Sequence, residues 1–170
     1  MSVWRQLRAI GPLPGVATLL VPALLLWLGD GPRIGFGLSL PVALLPALVG
    51  AALVVQGSLL AYRTTSLFAR VGKGTLAPWD PTRRLVVLGP YRHVRNPMIS
   101  GVMSILLGEG LLLGSPQILI WFVIFAALNA LFIPLFEEPD LARRFGDEYR
   151  EYKRNVPRWV PRLRPWTPDV

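Results

Sequence analysis

The chain has 170 residues, of which 52% are hydrophobic, with eighteen basic and ten acidic side chains and no cysteine. The lack of cysteine excludes disulfides, thiolate metal sites and a cysteine nucleophile, and a single histidine argues against a metal-ligand cluster. A net charge of +8 is compatible with nucleic-acid binding, but the basic residues lie beside apolar stretches, which favours an anionic membrane surface. We therefore expect no nucleic acid and no metal as partners.

Charged residues avoid two long stretches of the sequence. Between Gly11 and Tyr62 only Asp30 and Arg33 are charged, and between Met98 and Phe136 only Glu109 is. The surface of a soluble domain of this size needs more polar cover than that. The pattern predicts an integral membrane protein.

Four apolar segments follow one another along the chain and predict an all-α fold, a polytopic membrane helical bundle with about four transmembrane helices. A bilayer core of about 30 Å is crossed by about 20 helical residues. The last two segments are joined by Gly114-Ser115-Pro116-Gln117, a tight turn that predicts an antiparallel helical hairpin. The segments are residues 12–28, 34–61, 98–113 and 116–136.

The basic residues orient this bundle. Seven of them fall in residues 63–97 and eight in residues 137–170, whereas the turn between the last two segments has none. The positive-inside rule places these basic segments and the N-terminus in the cytoplasm. We predict an N-terminal transmembrane helix pair, a cytoplasmic basic loop, a transmembrane hairpin and a cytoplasmic C-terminal helix, over residues 1–62, 63–97, 98–136 and 137–170. Compact size and missing targeting signals favour a bacterial inner (cytoplasmic) membrane.

The last of these segments has the periodicity of an amphipathic helix. Leu141, Phe145, Tyr149, Tyr152 and Val156 recur three or four residues apart and give one apolar, aromatic face, and the prolines that follow end the helix. Taken alone, this pattern is typical of a helix that lies on a membrane surface.

Two polar groups lie at the predicted ends of the hairpin. The stretch from Gly89 to Met98 combines arginines, a histidine and an asparagine, and Glu137 and Glu138 follow the last span. Carboxylates at a membrane edge are costly unless they have partners, and the hairpin brings Arg92, His93 and Arg95 to the same end. Two interpretations stay open. One is a structural ion-pair network, and the other is a site for a zwitterion, with carboxylates for an ammonium group and arginine for a carboxylate.

The ordered combination of short motifs resembles the isoprenylcysteine carboxyl methyltransferase and phospholipid methyltransferase superfamily. The resemblance covers about residues 70–162. The matching motifs are GTLAPWDP at 74–81, YRHVRNPMISG at 91–101, the paired glutamates, FGDEYREY at 145–152 and VPR at 156–158. It implies an integral membrane methyltransferase that uses S-adenosyl-L-methionine and methylates a lipophilic small molecule or lipid, with the active site facing the cytoplasm.

The resemblance also implies the site residues. Arg95 and Glu138 are assigned the catalytic role, and Glu137 with Glu138 is expected to hold the amino-acid end of the cofactor. The full set of expected cofactor-binding residues is Tyr91, His93, Arg95, Asn96, Pro97, Met98, Glu137, Glu138, Tyr149, Tyr152 and Arg158.

Two departures from the superfamily pattern keep an alternative open. Many members have histidine where Asn96 stands and tyrosine where Ile99 stands, so a non-catalytic membrane scaffold or binding protein on the same fold is the second hypothesis. The span before Glu137 also lacks the arginine of the eukaryotic prenylcysteine enzymes, which disfavours a prenylcysteine substrate. The sequence does not specify the acceptor, the methylated atom or the oligomeric state. A transporter is disfavoured because no internal repeat is evident, and a reductase is disfavoured by the glutamate pair and the tyrosine helix.

Overall fold

The computed structural model describes residues 11–29, 31–70 and 84–168, and these form helices and turns without a strand. The predicted all-α class is confirmed for these residues. The α-helices are α1 (Val21–Leu28), α2 (Leu44–Arg70), α3 (Pro97–Leu112), α4 (Pro116–Phe132) and α5 (Glu138–Asn155). Two π-helical stretches, Gly11–Leu20 and Ile133–Glu137, continue directly into α1 and α5, and two 3-10 turns lie at Ile34–Gly37 and Gly89–Arg92.

Among the residues that the structure describes, two helices are long and apolar enough to cross a membrane. One is the Leu44–Leu67 part of α2, with a mean hydropathy of 2.0, and the other lies in the continuous helix Pro116–Asn155, with a value of 2.5. Only 11% of each apolar window is buried within the protein, whereas the core helix of a soluble protein would be mostly covered. Lipid is the solvent that suits such exposed apolar surface.

The other two predicted spans are shorter apolar helices, Pro14–Leu28 and Pro97–Leu112. The 16 residues of α3 rise about 24 Å, which is less than the thickness of about 30 Å of a bilayer core. The count of four spans therefore stays a prediction.

The second apolar helix differs in position from the prediction. The sequence pattern placed it at residues 34–61, but α2 begins at Leu44 and runs to Arg70. The chain turns sharply before α2 because Gly35, Phe36 and Gly37 all have positive φ angles. The hydropathy of the sequence does not predict this turn, because the residues of the turn are as apolar as those of the helix. The start of the predicted basic loop is consequently helical, while its residues 71–83 lie outside the described residues, as do residues 1–10.

The described residues divide into two compact units. The hairpin unit consists of residues 11–29, 31–59 and 100–128. The motif unit consists of residues 60–70, 84–99 and 129–168, and it contains all the site residues that the sequence predicts.

A tight turn connects α3 and α4 within the hairpin unit. Gly114 has a φ of +57°, and a Cβ there would lie 2.1 Å from the carbonyl oxygen of Arg33. The Oγ of Ser115 accepts a hydrogen bond from the backbone N–H of Ile118 at 3.4 Å, and Pro116 begins α4. A serine cap followed by proline is a typical helix start, so the sequence alone places this turn well.

Helices α2 and α3 approach backbone to backbone within the hairpin unit. A Cβ on Gly57 would lie 2.6 Å from the oxygen of Gly101, and one on Gly50 would lie 2.6 Å from the oxygen of Gly108. Small residues at matching intervals allow this close packing. Beside it, Ala17, Val102 and Leu106 are buried against the aromatic side chains of α4, Trp121, Phe122 and Phe125.

The core of the motif unit is aromatic. Tyr149, Tyr152 and Val156 are buried there, and the partly buried side chains that pack on them include Leu141, Phe145 and Trp166. Apart from Trp166, these are positions of the predicted apolar face, and α5 ends at Asn155, just before Val156 and Pro157.

Candidate active site

The stretch from Gly89 to Met98, which we call the motif segment, begins with a tight turn that positions the side chains after it. Gly89 has a φ of +54° and opens the 3-10 turn Gly89–Arg92, in which the side chain of Tyr91 is buried. Asn96, Pro97 and Met98 follow at the start of α3, where Pro97 is buried and the other two are half-buried. Proline suits the first helical position because it has no N–H to leave unpaired. The turn and the helix start hold Arg95 between them.

Glu138 is the hub of the site. Its side chain is only 3% exposed, and three cations surround its carboxylate. Oε1 lies 2.9 Å from Nη1 of Arg95 and accepts a hydrogen bond from Nε of Arg158 at 2.6 Å, while Nζ of Lys153 lies 2.8 Å from Oε2. We call these four residues the Glu138 cluster. Three cations against one buried carboxylate leave an excess of positive charge.

The surroundings of Glu138 keep it ionised. Burial acts to raise its pKa, but the hydrogen bonds and charges of Arg158, Lys153 and Arg95 outweigh burial, so the pKa of the Glu138 carboxyl is lowered. A buried ionised carboxylate requires such partners, since removing one charge of a buried pair leaves the other uncompensated.

Glu137 differs from its neighbour. Its side chain is accessible, and it forms no ion pair with any residue that the structure describes. Partial burial of the carboxyl group and then repulsion from Glu138 raise the pKa of Glu137. A cation that binds beside Glu137 would relieve this repulsion.

Helix α5 folds back on itself at Gly146. This residue has φ +57° and ψ −129°, a conformation that L residues rarely adopt. Lys153 follows Glu138 by 15 residues, which in a straight helix would separate their backbones by about 22 Å. The 2.8 Å contact between these two side chains therefore depends on the break at Gly146.

Two buried tyrosines line the same region. Tyr149 and Tyr152 are 2% and 3% exposed, with ring centroids 6.2 Å apart. Burial, followed by the charge of Glu138, raises the pKa of Tyr149 to about 12. Burial likewise raises the pKa of Tyr152, so both tyrosines stay neutral at physiological pH and keep their hydroxyl protons for hydrogen bonding.

Residues 157–168, which we call the strap, are bonded to the motif segment. The N–H of Arg95 donates to the carbonyl of Pro157, that of Arg162 to His93 and that of Trp166 to Arg92, each at 2.9 Å. Nδ1 of His93 lies 2.8 Å from the carbonyl oxygen of Arg162, so this nitrogen carries the proton and donates it. Nε of Arg92 donates to the carbonyl of Trp166 at 2.7 Å.

These contacts divide the three basic residues expected to face the glutamates. Of these three residues, only Arg95 contacts Glu138. Arg92 and His93 form hydrogen bonds with the strap instead, so the expected ion pairs of these two with the glutamates are wrong. The structure brings together Tyr91, Arg95, Glu138, Tyr149, Tyr152 and Arg158 of the predicted set. Lys153 was missed because its place in the cluster depends on the break at Gly146, and the signal for that break was a glycine inside a helical pattern.

Comparison with known protein families identifies the family of this chain. Residues 45–148, more than half of the chain, match the phospholipid methyltransferase family. The chain belongs to this family. The matched part of the phospholipid methyltransferase fold includes the motif segment and both glutamates.

Two curated relatives of this phospholipid methyltransferase family member are named for a thiol substrate. A protein of Pseudomonas deceptionensis named methanethiol S-methyltransferase is 31% identical over 90 residues, which are 51% of this chain and 31% of the relative. Methanethiol S-methyltransferase 2 of Bradyrhizobium diazoefficiens is 34% identical over 76 residues, 43% of this chain and 27% of the relative. The chain thus spans about a third or less of their length. No solved structure matches it.

Proposed function

We propose that this protein is an integral membrane methyltransferase that binds S-adenosyl-L-methionine at the Glu138 cluster and methylates a lipophilic small molecule or lipid. The observation that carries the proposal is the excess of positive charge around one buried carboxylate, next to a second carboxylate that lacks a partner among the described residues. Membership in the phospholipid methyltransferase family supports the reaction class.

The residues present suit the amino-acid end of this cofactor. Its carboxylate requires cationic donors, and the buried Nε of Arg95 has no hydrogen-bond acceptor among the described residues. The side chains of Lys153 and Arg158 are 48% and 29% exposed, so an anion can reach their charged groups. The ammonium group requires an acceptor, and Glu137 is the accessible carboxylate beside the cluster. Opposite charges on the two sides match a zwitterion.

Glu138 then acts by positioning rather than by contact with the reacting atoms. It holds Arg95, Lys153 and Arg158 on one carboxylate and fixes their separation. When bound, the cofactor supplies an activated methyl group on a sulfonium. The protein aligns donor and acceptor and excludes water, which is the larger part of catalysis for such a transfer. The faces of tyrosine rings stabilise a nearby cation by about 0.5–2 kcal/mol.

We place the site on the cytoplasmic side of a bacterial inner membrane in a four-span arrangement. The basic residues beside the apolar helices support this orientation. The acceptor is a lipophilic molecule that enters from the bilayer. The names of the two relatives make a small thiol one candidate within this class. A thiol must lose a proton during the transfer.

Calorimetric titration of S-adenosylhomocysteine into the detergent-purified protein tests the site. We expect binding by the wild type, loss of binding in Arg95→Ala, and binding weakened at least about tenfold in Lys153→Met, since one charge-assisted contact contributes about 1.5–3 kcal/mol. Arg150→Ala is the matched control, because Arg150 is 64% exposed and pairs with Asp147 on the surface of the same helix. Circular dichroism confirms that each variant is folded.

Transfer of a labelled methyl group then tests the reaction. Methanethiol, longer alkyl thiols and extracted lipids are the acceptors to compare. Labelling of one class above the Arg95→Ala background identifies the acceptor. Folded wild-type protein that does not bind S-adenosylhomocysteine would overturn the proposed site and favour the non-catalytic scaffold.

A further inference from the structure

The outer side of the strap combines exposed apolar side chains with arginine. The side chain of Val160 is 76% exposed and that of Leu163 is 98% exposed. Arg164 is exposed, and no acidic residue lies between Val156 and Pro168. Arg162 is half-buried, and Nη1 of its guanidinium donates to the carbonyl oxygen of Asn155 at 2.7 Å, which leaves its other N–H groups for a phosphate. Apolar side chains interleaved with basic ones match the interface of an anionic leaflet, where the former enter the acyl boundary and the latter meet lipid phosphates.

The inner side of the strap is fixed, so its outer side is presented in a defined orientation. Trp166 packs on Tyr152 with ring centroids 6.0 Å apart. The backbone bonds to Arg92, His93 and Arg95 hold the strap at three points along its length. A fixed segment loses little conformational entropy when it docks, which favours binding through only two apolar side chains.

The strap also lies at the level where an apolar helix begins. Its first residue, Pro157, accepts a hydrogen bond from the N–H of Arg95, two residues before α3 starts at Pro97. Two residues span at most about 7 Å of chain. If α3 enters the bilayer at Pro97, as in the proposed function, the strap lies at the headgroup region of that bilayer.

We propose that the strap docks on the anionic surface of the membrane in which the protein resides, with Val160 and Leu163 in the acyl boundary and Arg162 and Arg164 at lipid phosphates. This docking fixes the motif segment against the membrane, because the strap bonds directly to Arg92, His93 and Arg95. The inference rests on the membrane arrangement of the proposed function, but not on cofactor binding.

Single cysteines report the depth of each position, because the natural chain has none. Leu163→Cys probes the strap. Asp147→Cys is the water-exposed control, at a side chain that is 94% exposed on α5. Leu48→Cys is the membrane control, at a side chain that is 66% exposed on α2. Each variant is labelled with a bimane fluorophore and reconstituted into vesicles of phosphatidylcholine, alone or mixed with phosphatidylglycerol.

Quenching by doxyl-labelled lipid and by aqueous acrylamide distinguishes the outcomes. We expect the label at residue 163 to be quenched by lipid and shielded from acrylamide in the mixed vesicles, and less so in pure phosphatidylcholine. Combining Arg162→Gln with Arg164→Gln removes this dependence on anionic lipid. Acrylamide access at residue 163 equal to that at 147 in both vesicles, with residue 48 quenched by lipid, overturns the docking alone. Acrylamide access at residue 48 as well overturns the membrane arrangement itself.

Discussion

The hydroxyl of Tyr152 donates a hydrogen bond to the backbone carbonyl oxygen of Tyr91, with 2.7 Å between the two oxygens. Both residues are buried, and the bond joins the second half of α5 to the turn that precedes Arg95. The position of Arg95 beside Glu138 therefore depends on a contact outside the ion pairs. We therefore expect loss of the Tyr152 hydroxyl to lower the stability of the protein and to weaken ligand binding.

We expect Tyr152→Phe to lower the free energy of unfolding by about 1–2 kcal/mol, because the ring packing is kept while a buried carbonyl loses its partner. For a chain of this size, that lowers the melting temperature by about 2–8 °C. Thermal unfolding followed by circular dichroism in detergent measures it. Tyr62→Phe is the control, since the side chain of Tyr62 is 71% exposed. Equal melting temperatures for the two variants would contradict the role of the bond.

Local patterns predicted much of the motif unit. The spacing of Leu141, Phe145, Tyr149 and Tyr152 gave the apolar face of α5, and these residues do pack in one core. The sequence also predicted that Arg95 lies near the glutamate pair, and Nη1 of Arg95 lies 2.9 Å from Oε1 of Glu138.

The rest depends on contacts that no local pattern encodes. Lys153 reaches Glu138 only because α5 breaks at Gly146, and Arg92 and His93 turn to the strap because its carbonyl groups are within reach. Helix α2 starts at Leu44 rather than Ile34 because of the backbone angles at Gly35 and its neighbours. The hydropathy of the sequence carries no information on these angles.

Gly146→Ala tests the fold-back of α5. A Cβ at this position meets no atom within 4 Å, so the cost comes from the backbone conformation alone. We expect a loss of about 1–3 kcal/mol in unfolding free energy, or relaxation of the backbone that separates Lys153 from Glu138 and weakens binding of S-adenosylhomocysteine. Chemical denaturation and calorimetry distinguish these results. Gly15→Ala, at a glycine with open space and no positive φ, should be neutral or slightly stabilising.

The two glutamates should respond oppositely to pH. The pKa of Glu138 is lowered in the folded protein, so its contribution to stability is present above the unfolded value of about 4.3 and is lost as the pH falls through the folded pKa. The pKa of Glu137 is raised, so ionising it costs stability as the pH rises through the unfolded and folded values.

Melting temperatures of Glu138→Gln and Glu137→Gln, measured against the wild type from about pH 7 to about pH 3.5, check these signs across the unfolded glutamate pKa. The deficit of Glu138→Gln should be constant near neutrality and shrink in acid. Glu137→Gln should be at least as stable as the wild type at neutral pH and lose that advantage in acid. Parallel curves for the two variants would show that the assigned environments are wrong.

The close packing of α2 on α3 predicts that Gly57 does not accept a large side chain. A Cβ there would lie 2.6 Å from the carbonyl oxygen of Gly101 and 2.8 Å from Cγ1 of Ile105, so Gly57→Leu must push the two helices apart. The backbone oxygen cannot move aside as a flexible side chain would. We expect Gly57→Leu to lower the free energy of unfolding by at least about 3 kcal/mol, at the upper end of overpacking costs, and to give poor recovery of monodisperse protein from detergent.

Ala52→Leu is the control, because Ala52 is exposed on the same helix. It adds the same kind of apolar volume where the side chain meets lipid rather than α3, so it should leave yield and melting temperature unchanged. Equal behaviour of the two variants would mean that α2 and α3 do not pack through their glycines, because only the contact at Gly57 distinguishes them.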